Sequence, residues 1–148
     1  MKNTGETIPF RILIADDDND DIQLTKDCFE ENRLNVKIDE VADGQYLVEL
    51  LKGKGKSHPF KDLPQLILLD LNMPRKSGFE ALAEIKADGN LCKIPIIVFT
   101  TSKAPKDIEK AYQLGANCFV SKPNTFDEWC EKMGQLGRFW MECVKVVN

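Results

Sequence analysis

At 148 residues the chain has the length of one ordinary domain and is too short for two well-packed ones. Its 43% apolar and 30% charged residues give a globular balance that excludes a disordered polar chain, and a net charge of −4 offers no general attraction to nucleic acid. No apolar run approaches the roughly 20 residues of a membrane span, and residues 1–10 lack a signal peptide's apolar core, so a cytoplasmic protein is expected.

Short β-rich apolar runs alternate with amphipathic helical stretches along the chain. Residues 10–15 (FRILIA) read as a strand, followed by acids and a helix that Asn19 can cap, with Asp20 and Asp21 set against its N-terminal dipole. Residues 36–41 alternate as an edge strand would, and Asp43-Gly44 opens a second helix through Leu51. The Gly/Lys/Ser/Pro-rich residues 53–64 read as a loop holding the single histidine, His58.

Residues 66–70 (LILLD) are apolar up to a closing acid. Ser77 and Glu80 fit a capping box, with Phe79, Leu82 and Ile85 on one helical face behind it. Residues 94–100 (IPIIVFT) are a further strand, Pro105 suits the first turn of the next helix, and residues 117–121 form a short fifth strand. Thr125 and Glu128 suggest a second capping box, opening a last helix with Phe126, Trp129, Met133, Leu136, Trp140 and Val144 along one side. Five cysteines without CxxC spacing suit reduced, small apolar residues and offer neither a disulfide frame nor a zinc site.

Continuously apolar strands separated by helices predict an α/β fold: one doubly wound, five-stranded parallel sheet in the flavodoxin-like order 2-1-3-4-5. In such a sheet the site lies beyond the carboxyl ends of the strands. Asp16, Asp17 and Asp18 end the first strand and Asp70 the third. Thr100, Thr101 and Ser102 end the fourth, and the fifth runs into Lys122-Pro123. Gathered carboxylates repel one another unless a cation joins them, and an all-oxygen set suits Mg²⁺. A lysine and hydroxyls beside that metal suit a phosphoryl group, with Asp70 as nucleophile.

Rival motifs fail. An EF-hand reading of Asp16, Asp18 and Asp20 meets Asp21 where glycine is required and Asp27 where glutamate closes the loop. No phosphate-binding GxxxxGK[ST] loop or GxGxxG fingerprint occurs, and acids follow the first strand where a flavodoxin needs hydroxyls and glycines.

The stretches ILIADDD (12–18), LILLDLNMPRKSG (66–78), PIIVFTTS (95–102) and GANCFVSKP (115–123) resemble, in order and spacing, the CheY-like receiver domain of bacterial response regulators. The resemblance implies that Asp70 is phosphorylated, that Asp17 ligates Mg²⁺ directly and Asp16 through water, and that Asn72 supplies a main-chain carbonyl. It makes Thr100 the switch hydroxyl, Lys122 the phosphate-pairing lysine, and Pro74 and Gly78 the turn after Asp70. Phe119 matches the switch aromatic that follows Thr100 inward, or it is a core ring held in one rotamer.

By the same resemblance, residues 1–9 are an N-terminal extension and residues 10–148 the receiver, with no output domain. The long loop 53–64 and the RFW segment at 138–140 look like the single-domain regulators that partner phytochrome-type sensor kinases. The expected function is a phosphorylation switch charged by a sensor histidine kinase or phosphotransfer protein, with no turnover substrate and no membrane or nucleic-acid partner. Its output would be read on the surface of the fourth helix, fifth strand and last helix. There Phe139 and Met141 fall off the buried stripe and offer a patch for a homodimer or partner, unless the helix end tucks under a loop. The alternatives are a pseudo-receiver that is never phosphorylated, and an aspartate-nucleophile phosphatase. The latter wants a second acid two positions after Asp70, where this chain has Asn72.

Overall fold

The computed structural model describes residues 8–55 and 63–145. Five parallel strands, β1 (Phe10–Ala15), β2 (Val36–Val41), β3 (Leu66–Leu69), β4 (Ile96–Thr100) and β5 (Cys118–Ser121), pair in the order β2-β1-β3-β4-β5. Between and after them run α1 (Asn19–Glu31), α2 (Gly44–Gly55), α3 (Gly78–Ala87), α4 (Pro105–Gln113) and α5 (Phe126–Arg138), and α5 passes into a π-helical turn at Phe139–Cys143. The expected order 2-1-3-4-5 is therefore the observed one.

The period of two along each central strand divides the core. Leu13, Ala15, Ile67, Leu69, Ile96 and Val98 face one side, against Leu47, Leu51, Leu82, Ile85 and Ala111 of α2, α3 and α4. Ile12, Ile14, Leu66, Leu68, Ile97 and Phe99 face the other, against Ile22 and Phe29 of α1 and Trp129 and Met133 of α5. Residues buried on both faces explain why β3, residues 12–15 of β1 and residues 96–99 of β4 read as unbroken apolar runs. Strand β2 lies at the sheet edge, with Lys37, Asp39 and Glu40 exposed.

Local chemistry fixes the helix starts. Ser77 and Glu80 make the expected reciprocal capping box on α3, and Pro105 occupies the first turn of α4. Thr125 caps α5 by accepting from the Glu128 N–H, and its hydroxyl donates to the Glu128 carboxylate. The cap of α1 is Asp18 rather than Asn19: its carboxylate accepts from the N–H groups of Asp20 and Asp21, and Asn19 is already helical. Helix α2 runs on to Gly55, past the expected loop start at Gly53. The rest of that loop, with His58, lies mostly outside the described residues, as does most of the expected extension at residues 1–9.

Three expectations about α1 and α5 need correction. Phe126, placed on the buried stripe, is the first residue of α5 and is 46% exposed. Met141 is not an exposed partner of Phe139. The π-helical turn adds a residue to the local repeat and carries Met141 round to pack, half-buried, against the α1–α5 core, while Phe139 stays 50% exposed. The cysteines are not all unpaired: Cys28 of α1 and Cys130 of α5 form a disulfide across 102 residues, a pairing that sequence spacing cannot reveal.

Candidate acidic phosphoryl site at the strand ends

Parallel pairing brings the strand ends together. The Asp70 N–H donates to the Ala15 carbonyl at 2.9 Å, so the residue after β3 lies beside the end of β1 and its acids. The Lys122 N–H donates to the Thr100 carbonyl at 2.7 Å, which sets the residue after β5 against the end of β4. Asp16, Asp70, Thr100 and Lys122 are all buried, whereas Asp17 is exposed at the mouth.

Lys122 organises the centre. Its ammonium donates to Oδ2 of Asp16 at 2.7 Å, Oδ2 of Asp21 at 2.8 Å and Oδ2 of Asp70 at 3.2 Å, one acceptor for each of its three protons. The Thr100 hydroxyl donates to Oδ1 of Asp70 at 2.7 Å, and the Asn72 N–H approaches the same oxygen at 3.4 Å. The Asp18 N–H donates to Oδ1 of Asp16 at 2.9 Å. Asp70 is thus gripped from two sides, by a hydroxyl and by an ammonium.

The electrostatics are those of a crowded anionic pocket. Burial raises the Asp16 carboxyl from its ordinary 3.8 to about 6, outweighing the hydrogen bonds from Lys122 and Asp18 that favour its charged form. For Lys122 burial acts downward, but its bonds to Asp16 and Asp21 prevail and raise it above its ordinary value. One ammonium therefore holds three carboxylates, and further positive charge is wanted. Oxygens of Asp16, Asp17 and Asp70 lie within 4.8 Å of one another, an all-oxygen set that fits a hard divalent metal ion.

The loop after Asp70 is shaped by close backbone approach. A Cβ on Gly78 would overlap the Asp70 carbonyl oxygen and stand 2.6 Å from the Leu71 Cα, so only glycine lets α3 begin there. Its N–H donates to the Leu71 carbonyl at 2.9 Å, and the Pro74 carbonyl accepts from Lys76 at 2.7 Å. Arg75 takes the left-handed conformation at φ 65°, with its guanidinium on Asp43.

Of the residues expected from sequence, Asp16, Asp17, Asp70, Thr100 and Lys122 converge, with Asn72 on the adjoining loop. Phe119 stands apart on β5: its N–H donates to the Tyr112 hydroxyl at 3.0 Å, and its half-buried ring packs against the α2–α4 core. Ser102 braces α4, donating to Asp107 at 2.7 Å. Sequence reasoning missed Asp21 as the third partner of Lys122. It read that acid as complementing the helix dipole, and no local pattern distinguishes the two roles.

A buried acid–lysine–hydroxyl cluster at the carboxyl edge of a 2-1-3-4-5 sheet defines the receiver class of signalling domains. The sequence profile of the response regulator receiver domain matches residues 12–133, and the chain belongs to that family. Among its relatives is Response regulator Rcp1 of Synechocystis sp., 32% identical over 136 residues that cover 92% of each chain. Solved structures similar to it include the phosphorylated cyanobacterial phytochrome response regulator RcpA, with a TM-score of 0.86, 30% identity, and coverage of 95% of this chain and 100% of that one. The Mn²⁺-bound form of Rcp1 gives a TM-score of 0.83 at 31% identity, covering 95% of this chain and 100% of that one. The chain is accordingly a response regulator, of the class that signals through phosphorylation. Among the described residues, no helix is long and apolar enough to cross a membrane.

Proposed function

We propose that the chain is a switch phosphorylated on Asp70, charged by a sensor histidine kinase or a phosphotransfer protein. The observation that carries this reading is the double grip on the Asp70 carboxylate, from Thr100 at 2.7 Å and Lys122 at 3.2 Å, beside the acids Asp16 and Asp17. An Asp70 oxygen attacks phosphorus, the phosphorus–nitrogen bond to the donor imidazole breaks, and its electron pair returns to the ring. Lys122 and the Thr100 hydroxyl then take the new phosphoryl oxygens as acceptors in place of the carboxylate. Attack of water on phosphorus later releases inorganic phosphate and restores Asp70, so no substrate is turned over.

Asp16, Asp17, Asp70 and the Asn72 main-chain carbonyl are the groups that would hold Mg²⁺. When bound, that ion neutralises charge on the transferring phosphoryl group. As Thr100 moves toward the phosphoryl oxygen, the Phe119 ring follows into the vacated space and alters the surface of α4, β5 and α5. Phe119 has no hydroxyl, so its inward state gains packing alone. The exposed Phe139 at the end of α5 offers an apolar contact there for a second copy or another partner.

The likeness to RcpA, a cyanobacterial phytochrome response regulator, supports a phytochrome-type sensor kinase as donor. The test is intact-mass spectrometry after incubation with acetyl phosphate and Mg²⁺, alongside Asp70→Asn and EDTA controls. One phosphoryl adduct, absent from both controls, is the expected result. No adduct with acetyl phosphate, and none with phosphoramidate, overturns the switch in favour of a constitutive binding module.

A further inference from the structure

Cys28 and Cys130 sit at the closest approach of α1 and α5, with their Cα atoms 4.5 Å apart. That approach is built by residues other than the cysteines. Gly134 and Gly137 follow Cys130 on the same face of α5; a Cβ on Gly134 would overlap Asn32, and one on Gly137 would overlap Leu34. The Asn32 amide bridges the helices, donating to the Cys28 carbonyl at 2.8 Å and the Cys130 carbonyl at 2.9 Å. One residue from Cys130, the Trp129 indole N–H donates to the Thr25 hydroxyl at 3.0 Å. The two helices are therefore also held together beside the sulfurs by contacts that do not involve the bond.

Access is asymmetric. Cys28 is fully buried, whereas Cys130 is only partly buried. An incoming thiol or disulfide meets Cys130 first, and Cys28 resolves the adduct from within.

We propose that Cys28 and Cys130 form a reversible redox-modification site that staples α1 to α5. In oxidation by a small-molecule disulfide such as glutathione disulfide, the Cys130 thiolate attacks one oxidant sulfur. A mixed disulfide forms and one glutathione thiolate leaves. The Cys28 thiolate then attacks the Cys130 sulfur, releasing the second glutathione. Overall two protein thiols give up two electrons and two protons, and one oxidant disulfide becomes two thiols. A dithiol reductant runs the sequence backwards. Helix α1 carries Asp21 at one end and Cys28 two turns on, so the staple fixes the helix that presents an acid to Lys122. The chemistry does not depend on phosphorylation of Asp70.

The test uses the full chain under native conditions, equilibrated with glutathione disulfide or with dithiothreitol, alkylated, and mapped by mass spectrometry. Cys28 and Cys130 are expected to pass together from alkylated to cross-linked on oxidation and back on reduction, with an unchanged far-ultraviolet circular dichroism spectrum. Cys92, Cys118 and Cys143, which make no disulfide, serve as controls for alkylation of unpaired thiols. Amide exchange in α1 and α5 should be at least about tenfold slower in the oxidised form, with no redox response in Cys130→Ala. Both cysteines alkylated after oxidation, a cross-link that dithiothreitol cannot open, or equal exchange in the two forms would each overturn the proposal.

Discussion

Lys122 reaches back 106 residues to set its ammonium 2.7 Å from Oδ2 of Asp16, joining the end of β5 to the end of β1 across the whole site. The link is buried, so its loss differs in kind from the loss of a surface pair. Lys122→Met should lower the stability of the metal-free chain by about 1–3 kcal/mol, because Asp16, Asp21 and Asp70 lose their shared cation. Urea unfolding measures this, and added divalent metal should recover part of the loss. A change within about 0.5 kcal/mol would mean that the lysine behaves as solvated surface.

The raised carboxyl of Asp16 has a pH signature. Between its ordinary 3.8 and about 6 the native chain keeps a proton that the unfolded chain has released. The Asp16 contribution to stability is therefore greatest at low pH and falls as pH rises through that window. Relative to Asp16→Asn, the metal-free wild type should lose stability from about pH 4 to pH 6 and then level off. Divalent-metal affinity should run the opposite way, rising over the same interval as the proton leaves. Urea melts of both proteins across the range, with and without metal, test the two trends.

Gly78 is where a single methyl group should disturb both fold and chemistry. Gly78→Ala forces α3 away from the Asp70 carbonyl and should cost about 1–3 kcal/mol. It should also slow phosphoryl-adduct formation, since the overlapped carbonyl belongs to the nucleophile itself. An alanine variant with unchanged stability and unchanged adduct formation would show that the loop yields freely.

Thr100→Ala separates accepting the phosphoryl group from responding to it. The adduct on Asp70 should still form, about tenfold more slowly for the loss of one hydrogen-bond donor. The environment of Phe119 should then no longer change on phosphorylation. Ring resonances of Phe119, followed by NMR in both proteins, check this; a full shift in the variant would uncouple ring from hydroxyl.

Loss of the Cys28–Cys130 bond removes a constraint across 102 residues of the unfolded chain. Reduction should lower stability by about 2–4 kcal/mol, read as the shift in urea midpoint between oxidised and reduced protein. The Cys130→Ala variant should show no such shift.

The sheet was legible because β3, β4 and β1 from Ile12 onward are largely apolar on both faces while β2 alternates, and because turn chemistry marks Ser77 and Pro105. Asp16, Asp17, Asp70, Thr100 and Lys122 were legible once strand order placed their strand ends together. Asp18 and Asn19 are both good caps, and only the backbone at Asp18 decides between them. The ion pair of Asp21 with Lys122 and the Cys28–Cys130 bond join residues about a hundred positions apart, beyond any local pattern. Met141 was misplaced because a stripe drawn at 3.6 residues per turn does not anticipate a π-helical turn.

The charged outer strand has a consequence for how copies of this chain can meet. Lys37, Asp39 and Glu40 flank the row of backbone groups that β2 presents, so a foreign strand seeking to extend the sheet there meets solvated charge. At the opposite margin β5 is only four residues long, a poor template for the same purpose. Runaway edge-to-edge polymerisation is thereby discouraged at both margins, so any pairing of copies would fall to the helical surfaces.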